Sequence, residues 1–269
     1  MRGLYLYCIR EKTEGASAFS TKGIDGTGEV FILTFRELEA VVSKVSLEEF
    51  ASEEIQKKSR EDLNWIKEKA VAHEKVIEDA MRKNDEILSL IPMRFGSIFK
   101  EEVRLVDILN KDYFRIKEVL ERTRGKQEWS VKVYLIDREK FALVIEEKNK
   151  TIKKMKDEIA FLPEGMAFFM EEELKEAIFK VVDKELSNIV EVLFKDLGKH
   201  AVSSIKSKVL GRELTGRRQP MLLNSAYLIP EGKIKDFKKE ANGLKQEIQA
   251  KGFYLEYSGP WPAFNFTFY

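Results

Sequence analysis

Cysteine occurs once in these 269 residues, as Cys8, and histidine only as His73 and His200. One thiol excludes an internal disulfide and a cysteine-held iron–sulfur cluster, and it points to a reducing, intracellular setting. No HExxH, P-loop, GxGxxG, GxSxG or paired CxxC is present, so the common metal, phosphate, dinucleotide and nucleophile sites have no carrier. Long apolar runs are missing too. Nothing approaches the ~18 residues of a membrane span, and the opening MRGLYLYCIREK returns to charge too soon for a signal peptide. A soluble, cytoplasmic chain is expected, neither secreted nor membrane-bound. Nor is there a charge of one sign: 47 basic residues against 46 acidic leave +1, a poor basis for gripping nucleic acid through its phosphates. Charged residues make up 35% of the chain. Neighbouring carboxylates therefore arise by chance, and no acid–base pair stands out. The expectation is a non-enzyme with no catalytic residue, no metal and no cofactor.

The apolar patterning is that of an α+β protein of two domains, divided near Gly125-Lys126 into 1–126 and 127–269. In the first, LYLYCI (4–9), VFILTF (30–35) and 38–45 read as strands, with a loop over 11–28 and a hairpin around Arg36-Glu37. Ser46 and Glu49 form a capping-box pattern. Helical spacing follows over 59–83 and again over 101–124, with strand-like segments between them around Pro92. In the second domain the strand WSVKVYLI (129–136) precedes helices over 137–161 and 166–197. A strand near 201–209, another at 221–229, a helix over 233–251 and a strand at 253–257 complete the order. Without the segment 137–162, read as a helical insertion, this is the β-α-β-β-α-β order of a modified ferredoxin-like fold, ending in a tail over 258–269.

Residues with chemistry to offer are few. His73 shares a helical face with Ile66, Ala70 and Ile77, which favours a hydrogen-bonded core-edge histidine over a ligand or proton shuttle. Cys8 lies mid-strand and reads as a small buried hydrophobe. Lys199, Lys206, Lys208, Arg212, Arg217 and Arg218 face only Glu213. That basic segment, 199–218, is either a solvated hairpin tip or a patch for RNA or an acidic partner. The strand MLLNSAYLI has one tyrosine and no RNP1-like pattern, short of the stacking aromatics that RNA-recognition sheets use, which favours the former.

Four further stretches stand out together: Pro92-Met93-Arg94-Phe95-Gly96-Ser97, Glu128-Trp129-Ser130-Val131-Lys132, Met221-Leu222-Leu223-Asn224, and Gly259-Pro260-Trp261-Pro262 followed by Phe264-Asn265-Phe266. With LYLYCI, AVVSKV and Ala72-His73-Glu74, they resemble the gas vesicle protein F/L family in order and spacing over nearly the whole chain. Ala263-Phe264 stands where that family often has Pro-Tyr. The resemblance implies two α+β domains, the second ferredoxin-like, with no catalytic activity. It also implies an accessory or minor structural role in building gas vesicles. The expected partners are the small hydrophobic shell protein and other accessory proteins of the system, with no nucleic acid and no membrane.

Each motif also has a plain physical reading. Arg94, beside the conformationally free Gly96, is expected to clamp a carboxylate. Trp129 opens the second domain and is expected to pack at the junction. Pro260 stiffens a tail whose Trp261 and Phe264 either staple it to the body or dock a partner. Phe161, Leu162, Phe168 and Phe169 fall at the turn between two long helices, and if nothing covers them they form an interaction patch.

Overall fold

The computed structural model describes residues 2–14, 19–50, 52–83 and 86–267. Residues 15–18 of the expected loop 11–28, and the last two of the tail, lie outside them. The chain mixes helix and sheet and divides into two compact units: Met1–Glu128 with Pro260–Tyr269, and Trp129–Gly259. Each is taken by itself below.

The first unit is built around β1 (Arg2–Glu11), which pairs with β3 (Leu38–Ser46); β3 in turn pairs with β2 (Val30–Phe35). Five elements follow: α1 (Leu47–Phe50) and α2 (Ser52–Glu61), the longer α3 (Leu63–Met81), and the short strand pair β4 (Arg82–Lys83) and β5 (Glu86–Ile87). The short strands β6 (Leu90–Pro92) and β7 (Ile98–Phe99) then return to the other edge of β1. Finally α4 (Glu102–Lys111) and α5 (Tyr113–Thr123) close the unit.

A continuous apolar run such as LYLYCI is the mark of a strand covered on both faces, and β1 is buried throughout from Gly3 to Arg10. Its alternation slips at a bulge between Leu6 and Cys8. Leu4, Leu6 and Ile9 pack with Leu105, Leu109, Ile116, Val119 and Leu120 of α4 and α5. Tyr5, Tyr7 and Cys8 pack with Val76, Ile77, Ala80 and Met81 of α3. The extra residue thus puts two consecutive side chains on one face. Burial pushes the Cys8 thiol up to about 12, which leaves it inert at neutral pH. Ile24, in the loop before β2, is also fully buried in that core.

Where one helix was expected over 101–124 there are two. Asp112 ends α4 and begins α5. The helix expected over 59–83 is likewise interrupted at Asp62, whose side chain accepts the backbone N–H groups of Asn64 and Trp65 and so starts α3 afresh.

The second unit carries a four-stranded sheet. Its strands are β8 (Lys126–Leu135), β9 (Ser203–Lys206), β10 (Met221–Pro230) and β11 (Phe253–Trp261), in the spatial order β11-β8-β10-β9. Between β8 and β9 run α6 (Arg138–Lys148), α7 (Lys150–Ile159) and α8 (Glu164–Gly198); α9 (Arg212–Thr215) and α10 (Ile234–Gln249) flank β10. Leu193 and Leu197 of α8 and Phe237, Ala241, Leu244 and Ile248 of α10 cover one face of the sheet. Pro260 falls in β11, which is an edge strand, where a missing N–H costs no central ladder bond.

Candidate functional site: the helical arm and the docked tail

The segment expected as a single helix over 137–161 is broken at Asn149. Asn149 ends α6 and, by accepting the N–H groups of Thr151 and Ile152, starts α7. Both pieces pack along α8. Ile152 is almost fully buried, and Phe141 joins Val182 and Leu186 in the core. Arg138 pairs with Asp183 at 2.6 Å and Lys156 with Glu146 at 2.5 Å. α8 has 35 residues, about 52 Å at the helical rise.

At the α7–α8 turn this packing ends. Phe161 is 89% exposed, Phe169 73%, Phe168 63% and Met166 59%; Leu162 is half-buried. The Phe168 and Phe169 rings meet edge to face at 5.9 Å. Three phenylalanines and a methionine in solvent at one end of a helical arm form an apolar surface of the kind that marks an interaction site.

LYLYCI, Ala72-His73-Glu74 and the PMRFGS turn meet in the first unit. Tyr5 of LYLYCI hydrogen-bonds His73 Nδ1 at 3.0 Å, and His73 Nε2 lies 3.1 Å from the Met93 carbonyl oxygen. A carbonyl only accepts, so Nε2 carries the proton and Nδ1 accepts from the Tyr5 hydroxyl. That hydroxyl in turn accepts the N–H of Gly96 at 2.9 Å. Gly96 has φ +84°, a conformation that favours glycine. Burial lowers the His73 pKa to about 4. This histidine is a neutral strut under the PMRFGS turn.

Arg94 departs from expectation: it is exposed and makes no ion pair among the described residues. The turn is held instead by the Tyr5–His73 bonds, and Arg94 projects into a cleft of about 460 Å³ that Pro92, Met93, Phe264, Asn265 and Thr267 help to line.

The tail supplies one wall of that cleft. Asn265 gives its backbone N–H to Glu128 Oε2 at 2.9 Å and its side-chain amide to Oε1 at 2.6 Å. Arg122 donates to the Phe266 carbonyl at 2.8 Å. Phe264 packs against the α3-side core and Phe266 is buried; Trp261 is half-buried. Glu128 is 4% exposed, and burial raises its pKa to about 7 against the two Asn265 bonds. Trp129 is buried in the second unit's core, 6.2 Å from Phe237 and 6.1 Å from Tyr257, with Lys238 Nζ 4.5 Å above its ring.

Sequence reasoning missed Glu128 and Asn265 as a pair, although both lie in singled-out motifs. A buried carboxylate is visible only once its neighbours are placed. Among the described residues no group of three or more His, Cys, Asp or Glu could hold a metal ion, and no helix is long and apolar enough to cross a membrane.

A family model for gas vesicle synthesis protein GvpL/GvpF matches residues 3–267. Gas vesicle protein L of Streptomyces sp. (strain CB03234) is 22% identical over 98% of this chain and 92% of its own length. Gas vesicle protein F1 of Halobacterium salinarum is 21% identical over the same shares. Among solved structures, gas vesicle protein GvpF from Anabaena sp. PCC7120 superposes with a TM-score of 0.76 at 21% identity, covering 100% of this chain and 99% of that one. GvpF from Microcystis aeruginosa gives 0.69 at 20%, covering 99% of each. At these identities the structural likeness speaks for the fold.

Proposed function

The chain belongs to the gas vesicle synthesis protein GvpL/GvpF family, and from that gas-vesicle-related role we propose that it is a non-catalytic accessory protein acting by direct contact with the small hydrophobic shell protein during assembly. The observation that carries this is the uncovered apolar end of the helical arm, where Phe161, Phe168 and Phe169 are each more than half exposed. A water-exposed subunit with a large apolar surface needs a partner that offers apolar area of its own. Association of this kind resists salt, because it removes apolar surface from water rather than pairing charges. Leu162 adds to the same surface. Trp261 and Phe264 act in this reading as staples that hold the tail, and contribute to partner contact only where the tail lifts. Other accessory proteins of the gas vesicle system are further partners of the same kind, met in the cytoplasm or at the vesicle.

The same reading takes the second domain as a modified ferredoxin-like fold with α6 and α7 as its insertion. Support comes from the strand order, in which the last strand flanks the first and the third separates the first from the second. It also keeps the division into domains 1–126 and 127–269, with the tail reaching back to the first unit.

Use of the basic segment 199–218 for RNA is the weaker reading. Lys199 pairs with Asp196, Lys206 with Glu191 and Arg217 with Glu256, so half of its six cations are already neutralised locally.

The test is co-expression of this protein with the small shell protein and affinity capture at low and high salt. Salt-resistant capture that is lost in the double variant Phe168→Ser/Phe169→Ser is expected. Capture that vanishes in high salt, or that survives the double variant unchanged, overturns the arm as the contact.

A further inference from the structure

Glu128 is almost fully buried. Its partners are uncharged: both oxygens are taken by Asn265 alone, one by the backbone N–H and one by the side-chain amide. No charged side chain on the elements around this seat pairs with Glu128 among the described residues. On α5, Arg122 spends its guanidinium on the Phe266 carbonyl. Lys126, on Glu128's own strand, reaches back to the Arg122 and Arg124 carbonyls. Arg94, across the cleft from Asn265, makes no ion pair with Glu128. The tail from Pro260 to Thr267 contains no ionisable side chain. A carboxylate removed from water without a cation bears a desolvation cost that amide donors only partly offset.

We propose that the Glu128–Asn265 pair is a proton-linked latch: the tail Pro260–Thr267 is held on the first unit when Glu128 carries a proton and is loosened when that proton leaves. The chemistry of Asn265 suits both states. Its terminal amide has a donor end and an acceptor end related by a half-turn. As placed, Nδ2 donates to an ionised Oε1. After a flip, Oδ1 accepts the proton of a neutral carboxyl, while the backbone N–H of Asn265 keeps its bond to the other oxygen. Both states are hydrogen-bonded, so burial of the charge decides between them, and burial favours the neutral one.

The sign follows from linkage. A seated pKa of about 7 against the ordinary 4.5 means that the seated tail binds the proton more tightly than the lifted one. Raising the pH from 5.5 to 8.5 therefore weakens seating by roughly 30-fold. What lifts with the tail is Phe264 and Phe266, now packed against the body. The latch concerns the tail alone and does not depend on what the arm binds.

Hydrogen exchange of the Asn265 amide reads the latch directly, since that N–H is one of its two bonds. In the full-length protein its protection, corrected for intrinsic exchange, is expected to fall by about 30-fold between pH 5.5 and 8.5, and to be independent of pH in Glu128→Gln. Unchanged protection in the wild-type protein, or an equal fall in Glu128→Gln, overturns the proposal. Should Glu128→Gln not fold, carboxyl-carbon NMR of the wild-type protein decides alone. A wild-type Glu128 midpoint near 7 supports the latch, and a midpoint between 4 and 5 rejects it.

Discussion

The Tyr5 hydroxyl and His73 Nδ1 are 3.0 Å apart, and this bond ties the central strand of the first sheet to the helix packed on its face. With Nε2 held by the Met93 carbonyl, the imidazole is neutral and has no room for a second proton. Protonation would set an N–H against a hydroxyl whose own proton already points at it.

An acid-sensitive stability follows. The His73 pKa is depressed by burial from 6.5 to about 4. The unfolded chain therefore takes up a proton first as pH falls. The contribution is fully present above about 6.5 and is lost on the way down to about 4, amounting to about 2–3 kcal/mol. Glu128 works the other way, since its raised pKa favours the folded state as pH falls toward 4.5. Urea unfolding of wild type and His73→Gln at pH 7.5 and 4.5 separates the two. The acid loss should be smaller in the variant by about that amount.

Arg10 and Glu39 face each other in register on β1 and β3, with Nε 2.9 Å from Oε2. Both are nearly inaccessible. Arg10 also donates to the Ala80 carbonyl of α3 at 2.7 Å, and Glu39 accepts the N–H of Thr13. Removing one member leaves the other charge buried. Glu39→Ala should cost about 3–5 kcal/mol and Glu39→Gln less, measured as the shift in the denaturant midpoint at constant slope.

The strands, the long helices and their order were legible in the sequence because apolar period reports burial directly. What escaped it has identifiable causes. The bulge in β1 keeps every residue apolar or aromatic, so no break in pattern betrays it. Asp112 and Asn149 divide helices that helical spacing alone would run together, since a cap residue inside a periodic stretch does not interrupt the period. Arg94 was expected to meet a carboxylate because a charge between apolar neighbours suggests burial, yet the turn projects it outward. Glu128 and Asn265 are far apart in the chain and each looks like a surface residue. The exposed end of the arm was readable as a cluster of four apolar residues at a turn, though its lack of cover was not.

Gly96 is a position where substitution should act through the backbone. A Cβ there would meet only Ile55 Cδ1, at 3.6 Å, so space is not the difficulty. The positive φ is, and an alanine would bear about 1–2 kcal/mol of left-handed strain. Relaxing it would pull the Gly96 N–H from the Tyr5 hydroxyl. Gly96→Ala is expected to lower the unfolding free energy by about that amount, with the loss visible in thermal melts. Ser97→Ala, which removes only the bond from Oγ to the Arg94 carbonyl, should cost less.

The arm offers a contrast between two kinds of apolar residue along the same helices and the turn between them. Ile152 is 1% exposed and Val182 2%, whereas Phe161 is 89% exposed. A side chain that stays in water on folding gains nothing from the hydrophobic effect, so removing it should leave stability within about 0.5 kcal/mol. Truncating Ile152 to alanine deletes buried methylenes and leaves a cavity, at about 2–5 kcal/mol. Phe161→Ser, Phe168→Ser and Phe169→Ser should therefore unfold at the wild-type denaturant concentration, singly and together, while Ile152→Ala unfolds earlier. The contrast bears on function as well. A triple serine variant of undiminished stability that no longer supports partner capture has lost a contact surface. One that unfolds early would mean that the phenylalanines are core residues, and that the arm is not built to present them.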